Sequence, residues 1–437
     1  TYVPERAGML EARTVKAWRT WARRCEPVRA GEWAGSLLPL LIRSTLVLKL
    51  LTNAATGAIA AAPTTSLPED IGGVRNWDYR FAWIRDSAMT AQALIVLGHK
   101  AEAVDLLDWM ERVSAMYARE EQELRIMYGI HGWSDLREEE LPHFEGYRGS
   151  SPVRIGNDAA AQMQLEIYGE LLNTAYELAR RGFGLSGQEK GFLGRIADEA
   201  CTLWREPDHG IWEVRSERRH YVYSKVMLWT ALDRAVHLAD EYGLLGDGER
   251  WARNAAAIRR QVLEQGYDAE RGAFVQFYGS RDLDAANLRI PLLEFLPPDD
   301  ERVAGTIERT MDELMENGLV YRYRTDDGLP GEEGAFGLCT FWLIDVLALS
   351  GRVGEARSLF ERMVDRANHV GLYPEQFDPE TDEFLGNFPQ AFTHIGLINS
   401  ALYLAYAEGR AVPEHALIGT PEHRAALEER RPGRMSL

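Results

Sequence analysis

Apolar side chains recur every three or four positions along most of this 437-residue chain. The recurrence runs through 34–52, 86–97, 101–117, 157–182, 188–204, 222–242, 247–264, 301–317, 335–350, 353–366 and 391–408. A period near 3.6 predicts a helix over each of these stretches, giving about eleven or twelve in all. Strand-like alternation is scarce, and 272–279 (GAFVQFYG) is the best short candidate. Gly98, Gly243, Gly351 and Gly409 stand where helices should end, because a left-handed C-terminal cap admits glycine without a Cβ clash.

The connections alternate in kind. Residues 97–100 and 349–354 are short turns, whereas 53–85, 127–156, 205–221, 320–334 and 370–390 are long and rich in rings and charge. Long loops inside compact domains are usually functional. Their return after every second helix predicts a ring of helical hairpins, with short turns at one end and site-building loops at the other. No Pro/Ser linker interrupts the helical part. One domain is therefore expected from about residue 30 to 412, with charged flanks at 1–29 and 413–437 packing outside it.

Composition narrows the chemistry. Lys plus Arg number 49 against 67 Asp plus Glu, a net charge of −18. That disfavours a phosphate-tracking groove and an anionic membrane surface, so neither nucleic acid nor membrane is an expected partner. Cys25, Cys201 and Cys339 are odd in number and far apart, which suggests buried thiols in a reducing, cytoplasmic compartment. The apolar stretch 34–51 is broken by Pro39, Arg43 and Lys49, so it reads as a buried helix and not a membrane span. No HExxH, Walker loop, GxGxxG or serine elbow occurs, and the ten histidines show no metal-ligand spacing.

What remains is carboxyls among rings. In 73–86 the residues Trp77, Tyr79, Phe81 and Trp83 crowd among Arg75, Asp78, Arg80, Arg85 and Asp86. Asp86 at the start of a helix can simply cap it, but a cap does not explain the crowd. Flat apolar ring faces beside directional donors and acceptors suit a neutral, polyhydroxylated ligand such as a sugar. Glu213 follows Trp212 between Ile211 and Val214; a carboxyl against an indole in apolar surroundings suits a proton donor. The bland alternative is a surface glutamate paired with Arg215 or Arg218. Glu332 and Glu333 precede another helix, where one can rest in the first turn against its positive end. Glu375 lies outside any helical pattern between Tyr373-Pro374 and Gln376-Phe377, and a carboxylate held there can activate water. Two carboxyls in separate aromatic loops are what glycoside hydrolysis requires.

Four segments, in order, resemble the motifs of glycoside hydrolase family 15, the glucoamylase, glucodextranase and bacterial trehalase group. They are APTTSLPEDIGGVRNWDYRFAWIRD, GIWEVRSERRHYVYSKVMLWTALDRA, EEGAFGLCTFWLIDVLA and LYPEQFDPETDEFLGNFPQAFTHIGLINSALYL. The resemblance implies an all-α (α/α)6 barrel of six inner and six outer helices. It implies an inverting, exo-acting enzyme that releases β-D-glucose from malto-oligosaccharides, starch ends or α,α-trehalose, with no metal or organic cofactor. It places the general acid at Glu213 and the general base at Glu375. By the same resemblance, Arg85 and Asp86 hold the terminal glucose, Trp77, Tyr79 and Trp212 line its subsite, and Trp133 in the loop 127–156 walls the pocket. Arg322 or Arg324 contacts the sugar, and Glu332, Glu333 and Tyr373 belong to the same mouth. Relatives usually carry an N-terminal β-sandwich joined by a helical linker; here only a linker-like helix, about residues 10–24, is expected before the barrel. A non-catalytic sugar-binding protein on the same barrel, or another all-α barrel enzyme such as a polysaccharide lyase, are the competing readings.

Overall fold

The computed structural model describes residues 4–25, 33–118, 124–412 and 417–430. In chain order its helices are α1 (Pro4–Ala22), α2 (Leu38–Leu51), α3 (Ile84–Val96), α4 (Lys100–Ala118), α5 (Glu166–Arg180), α6 (Gly187–Leu203), α7 (Val222–Tyr242), α8 (Gly248–Gln265), α9 (Arg289–Leu292), α10 (Glu301–Glu313), α11 (Gly337–Leu349), α12 (Val353–Asp365), α13 (Ala391–Ala407) and α14 (Pro421–Arg430).

Burial sorts them into two rings. Every residue of α11 from Gly337 to Ala348 is buried, and α7 is buried without a break from Val222 to Leu232. Such helices have no polar face and must be enclosed on all sides. By contrast α8 buries only Trp251, Ala255, Ile258 and Val262, and α10 only Val303, Thr306, Ile307 and Thr310. Steps of three and four make a single inward stripe. The enclosed helices follow one another in the order α3, α5, α7, α9, α11, α13, with the 3-10 turn Ala285–Leu288 joining α7 to α9, and α13 returns to α3. The striped helices α2, α4, α6, α8, α10 and α12 surround them, which is the (α/α)6 barrel.

The fourth inner position carries no long helix. A short 3-10 turn (Ala285–Leu288) and the single turn of α9 fill it, and no helical period over that stretch is read from the sequence. Two expected helices also shift. The stretch 157–182 begins as a 3-10 turn capped by Asn157, whose side chain accepts from the Ala159 amide, and α5 starts only at Glu166. The stretch 301–317 stops at Glu313, and Met315–Glu316 instead pairs with Leu319–Val320. In 272–279 only Ala273–Phe274 is a strand, paired with Tyr267–Asp268.

The linker-like helix begins at Pro4 and is largely exposed. Its last turn is tied to the barrel. The Trp21 indole stacks on His99 and donates to Glu102 at 2.7 Å, and the Cys25 thiol lies 2.9 Å from His99 Nε2. Residues 26–29 of that flank lie outside the described residues. Of the C-terminal flank, 417–430 are described, whereas 413–416 and 431–437 lie outside. There α14 closes the far end of the barrel through His423, 2.6 Å from buried Glu294, which also meets Arg234 at 3.0 Å.

All six long connections precede an inner helix, so they gather at one end of the ring, over the inner helix N-termini. The turns at the other end are short.

Candidate active site

An open pocket of about 630 Å³ lies under these loops. The segment before α3 builds one side by alternation. Residues 76–78 are extended and pair with 65–68, and 82–83 pair with 127–128. Successive side chains of extended backbone point to opposite faces. Arg75, Trp77 and Tyr79 consequently line the pocket, as do Trp83 and, from the first turn of α3, Arg85 and Asp86. The residues between them hold the loop: Asp78 pairs with Arg80 at 2.7 Å and accepts from the Gly156 amide, and Asn76 donates to the Gly73 and Pro152 carbonyls. Every second position serves the site, which is why rings and charges crowd together in the sequence.

Glu213 and Glu375 both reach this pocket. Glu213 Oε1 accepts from the Trp83 indole at 2.7 Å and from Arg85 Nη2 at 3.2 Å. Its partners are not Arg215, which pairs with Glu138, nor Arg218, which lies against the Met163 sulfur. Trp212 lines the pocket but turns its indole N–H to Asp284 at 2.8 Å. Glu213 has a left-handed backbone, φ +62°, a conformation that strains a residue bearing a Cβ.

Glu375 is 2 % exposed. Its Oε1 accepts from the Tyr79 hydroxyl at 2.8 Å, and its buried Oε2 has no hydrogen-bond partner. Burial pushes this carboxyl up to about 7, against the lowering effect of the Arg322 charge and the Tyr79 hydrogen bond. Oε2 fits only because residue 386 is glycine: a Cβ there would stand 2.3 Å from it, and Gly386 has φ +72°. Tyr79 and Trp83, which hold the two glutamates, meet edge to face at 5.4 Å between ring centroids. The carboxyls are thus carried on neighbouring rings and do not bond to each other.

Asp86 and Arg85 lie in the first turn of α3. Asp86 is not the N-cap, a position taken by Trp83. Its carboxylate meets Arg85 at 3.1 Å, and burial raises it to about 7 despite that guanidinium. Arg85 also donates to the Ile211 carbonyl and faces Glu166 at 3.5 Å. Glu166 is wholly buried, raised by that burial to about 8, and neither of its oxygens has a hydrogen bond.

The opposite wall is a charge network. Arg75 clamps Asp327 through two bonds of 2.7 and 2.9 Å and reaches Glu333 at 2.6 Å. Arg322 donates to the other oxygen of Glu333 at 3.0 Å and stacks over Trp212. Of the two arginines left open by the sequence, Arg322 is the one in the pocket. Arg324 lies over Tyr321 and pairs with Glu316 outside it.

Three other expected residues also fall elsewhere. Trp133 is 44 % exposed and packs beside His131, because its loop turns outward at Gly129–Gly132. Glu332 is exposed, whereas Glu333 lines the pocket; neither lies in a first turn, since α11 starts at Gly337. Tyr373 is fully buried two residues before Glu375, its ring on His394 and its hydroxyl toward the Val364 carbonyl. Conversely Glu69, Arg75, Asp327 and Gln390 line the pocket without having been singled out as site residues. The Pro68-Glu69-Asp70 run looks like any polar turn in sequence, and the partners of Arg75 lie about 250 positions away. Among the described residues, no group of three His, Cys, Asp or Glu side chains is arranged to hold a metal ion, and no helix is long and apolar enough to cross a membrane.

Comparison with known proteins gives these residues a lineage. A trehalase of Thermoplasma volcanium is 43 % identical over 390 residues, covering 89 % of this chain and 61 % of that one. A trehalase of Mycobacterium tuberculosis is 45 % identical over 402 residues, covering 91 % and 58 %. The chain therefore spans about three fifths of the length of these curated relatives. A glycosidase solved in complex with glucose shares the fold, with a TM-score of 0.65 at 22 % identity over 84 % of this chain and 96 % of that one. Residues 36–402 match the family model described as glycosyl hydrolases family 15, and the chain belongs to that family.

Proposed function

We propose that this barrel hydrolyses α-glucosidic bonds from a chain end, with inversion, releasing β-D-glucose. The observation that carries the proposal is the pair of pocket glutamates on separate loops, each held by a different ring of the 75–85 segment. Glu213 gives its proton to the glycosidic oxygen as the bond to the anomeric carbon breaks. Glu375 takes a proton from the water that attacks that carbon from the opposite face. Inversion needs room for this water, about 6.5–9.5 Å between carboxyls. A base must be able to hold a proton near neutral pH, and burial brings Glu375 to about 7. Tyr79 fixes its orientation. Arg85 and Asp86 take hydroxyls of the terminal glucose, against Trp77, Tyr79 and Trp212, with Arg322 and Glu333 facing them.

α,α-Trehalose is the first substrate to test, because the relatives of 43–45 % identity are trehalases. Malto-oligosaccharides and starch ends present the same terminal glucose. The domain reading is part of the proposal: 30–412 as the catalytic barrel, 1–29 and 413–437 as flanks. A reducing, cytoplasmic setting accords with Cys25, Cys201 and Cys339 being buried and far apart in sequence. The test is a panel of trehalose, maltose, maltotriose and isomaltose incubated with the purified chain, with free glucose measured. Release from at least one, lost in both Glu213→Gln and Glu375→Gln, is the expected result. No release from any would overturn the proposal.

A further inference from the structure

The wall facing Arg85 and Asp86 holds three carboxyls: Glu69, Asp327 and Glu333. Two are committed. Asp327 and Glu333 absorb the donors of Arg75, and Glu333 also takes Arg322. Glu69 is different. It is 2 % exposed, it lines the pocket, and its backbone amide bonds to the Arg75 carbonyl, yet its buried Oε2 has no partner. A buried carboxyl oxygen without a hydrogen bond is unfavourable in the empty protein. It is tolerated where a ligand completes it.

The position of Glu69 says which part of a ligand that is. Pro68 accepts from the Gly386 amide, and Gly386 abuts Glu375, so Glu69 stands beside the base. Asp70 touches Gly331, so Glu69 also adjoins the 327–333 loop. Arg85 and Asp86 occupy the first turn of α3, whereas Glu69, Asp327 and Glu333 belong to the loops that precede α3 and α11. A glucoside whose terminal ring is held by Arg85 and Asp86 can extend its remaining part toward those loops.

We infer that Glu69 is a further substrate-contacting residue, whose unpartnered carboxyl oxygen bonds a hydroxyl of the sugar on the leaving-group side and so selects which glucoside is accepted. This rests on the function proposed above. Burial, with Glu333 and Glu375 nearby, raises this carboxyl well above the usual range, so it offers a donor as well as an acceptor to that hydroxyl.

The experiment compares substrates with and without a leaving sugar. For Glu69→Ala, KM for the disaccharide that the wild type cleaves best should rise about 10- to 100-fold. α-D-Glucosyl fluoride, which has no second sugar, should keep kcat and KM within about 3-fold. Glu69→Gln keeps the volume, a donor and an acceptor, so it should retain most of the disaccharide affinity; it also serves should the alanine variant fail to fold, with Glu69→Leu as its apolar counterpart. Equal losses on disaccharide and fluoride, with a shifted acid limb of the pH profile, would assign Glu69 to the base and overturn the inference. Unchanged kinetics on both would overturn it as well. Calorimetric binding in a Glu213→Gln background separates this from failure of the proposed function, because it needs no turnover. There Glu69→Ala should weaken the disaccharide about 10-fold and leave glucose within about 2-fold; equal or absent weakening would overturn the inference even for a chain that hydrolyses nothing.

Discussion

Glu375 is stored in an unfavourable state, and that has measurable consequences. Its folded pKa of about 7 lies above that of an unfolded glutamate. Between those values the folded chain binds the extra proton, so this group's contribution to stability falls as pH rises and is at its lowest above pH 7. The loss at pH 8 is about 1–3 kcal/mol. Glu375→Gln removes it while keeping the shape. The melting temperature at pH 8 should rise by about a few degrees, and the gain should vanish near pH 4.5. Calorimetry at both values checks this; a gain independent of pH would mean the charge is not its source. Turnover should fall about 10²–10⁴-fold in the same variant. In the wild type, kcat/KM should climb through an apparent pKa near 7 as the base is freed. Asp86 shares the pattern, raised by burial to about 7. Asp86→Asn should raise KM about 10-fold or more by losing a charge-assisted bond of about 1.5–3 kcal/mol; because Asp86, unlike Glu375, is paired with Arg85, loss of that pair offsets the relief of a buried charge, with little change in melting temperature. A clear drop in melting temperature at unchanged KM would make Asp86 a structural residue.

At the scale of elements, two left-handed turns hold the glutamates, of which only that at Glu213 strains a side-chain-bearing residue. The turn at Trp212–Glu213 is locked by the indole bond to Asp284 and by the Arg215 amide on the Asp327 carbonyl, which holds Glu213 at φ +62°. Glycine adopts that conformation freely. Glu213→Gly should thus be more stable than Glu213→Ala by about 0.5–1 kcal/mol, the reverse of the usual order, although both lose the carboxyl. Equal or inverted denaturation midpoints would show the turn relaxing without cost. The second turn is Gly386, where any Cβ meets Glu375. The long helices were legible in sequence because their faces repeat, and α7 agrees to the residue with the stretch 222–242. The fourth inner element was not, since eight residues from Ala285 to Leu292 with Pro291 inside offer too little period. The site was legible where one segment supplies it. Arg75, Trp77, Tyr79, Trp83, Arg85 and both glutamates reach the pocket, but Glu69 is not distinguished by any local pattern, and Trp133, Tyr373 and Glu332, expected there by resemblance, and Arg324, left open beside Arg322, do not line it. Which face of an irregular loop a side chain takes depends on partners far along the chain, and no local pattern encodes them.

At the scale of the whole molecule, the ring converts sequence distance into contact. Tyr79 and Glu375 are 296 positions apart, and Trp83 and Glu213 are 130 apart; closure of α13 onto α3 is what brings the last loop beside the first. In the inverting hydrolysis proposed for this pocket, attacking water and leaving sugar lie on opposite sides of the anomeric carbon. Two carboxyls on opposite loops, not bonded to each other, suit a single displacement by water. The first product from an α-glucoside should therefore be β-D-glucose. Carboxyls able to form a covalent intermediate would sit about 5–5.5 Å apart and would release α-D-glucose. Proton NMR of the anomeric region in the first minutes, before mutarotation mixes the forms, distinguishes the two. An initial α signal would overturn the roles assigned to Glu213 and Glu375 together, while leaving the barrel, its closure and the pocket as they stand.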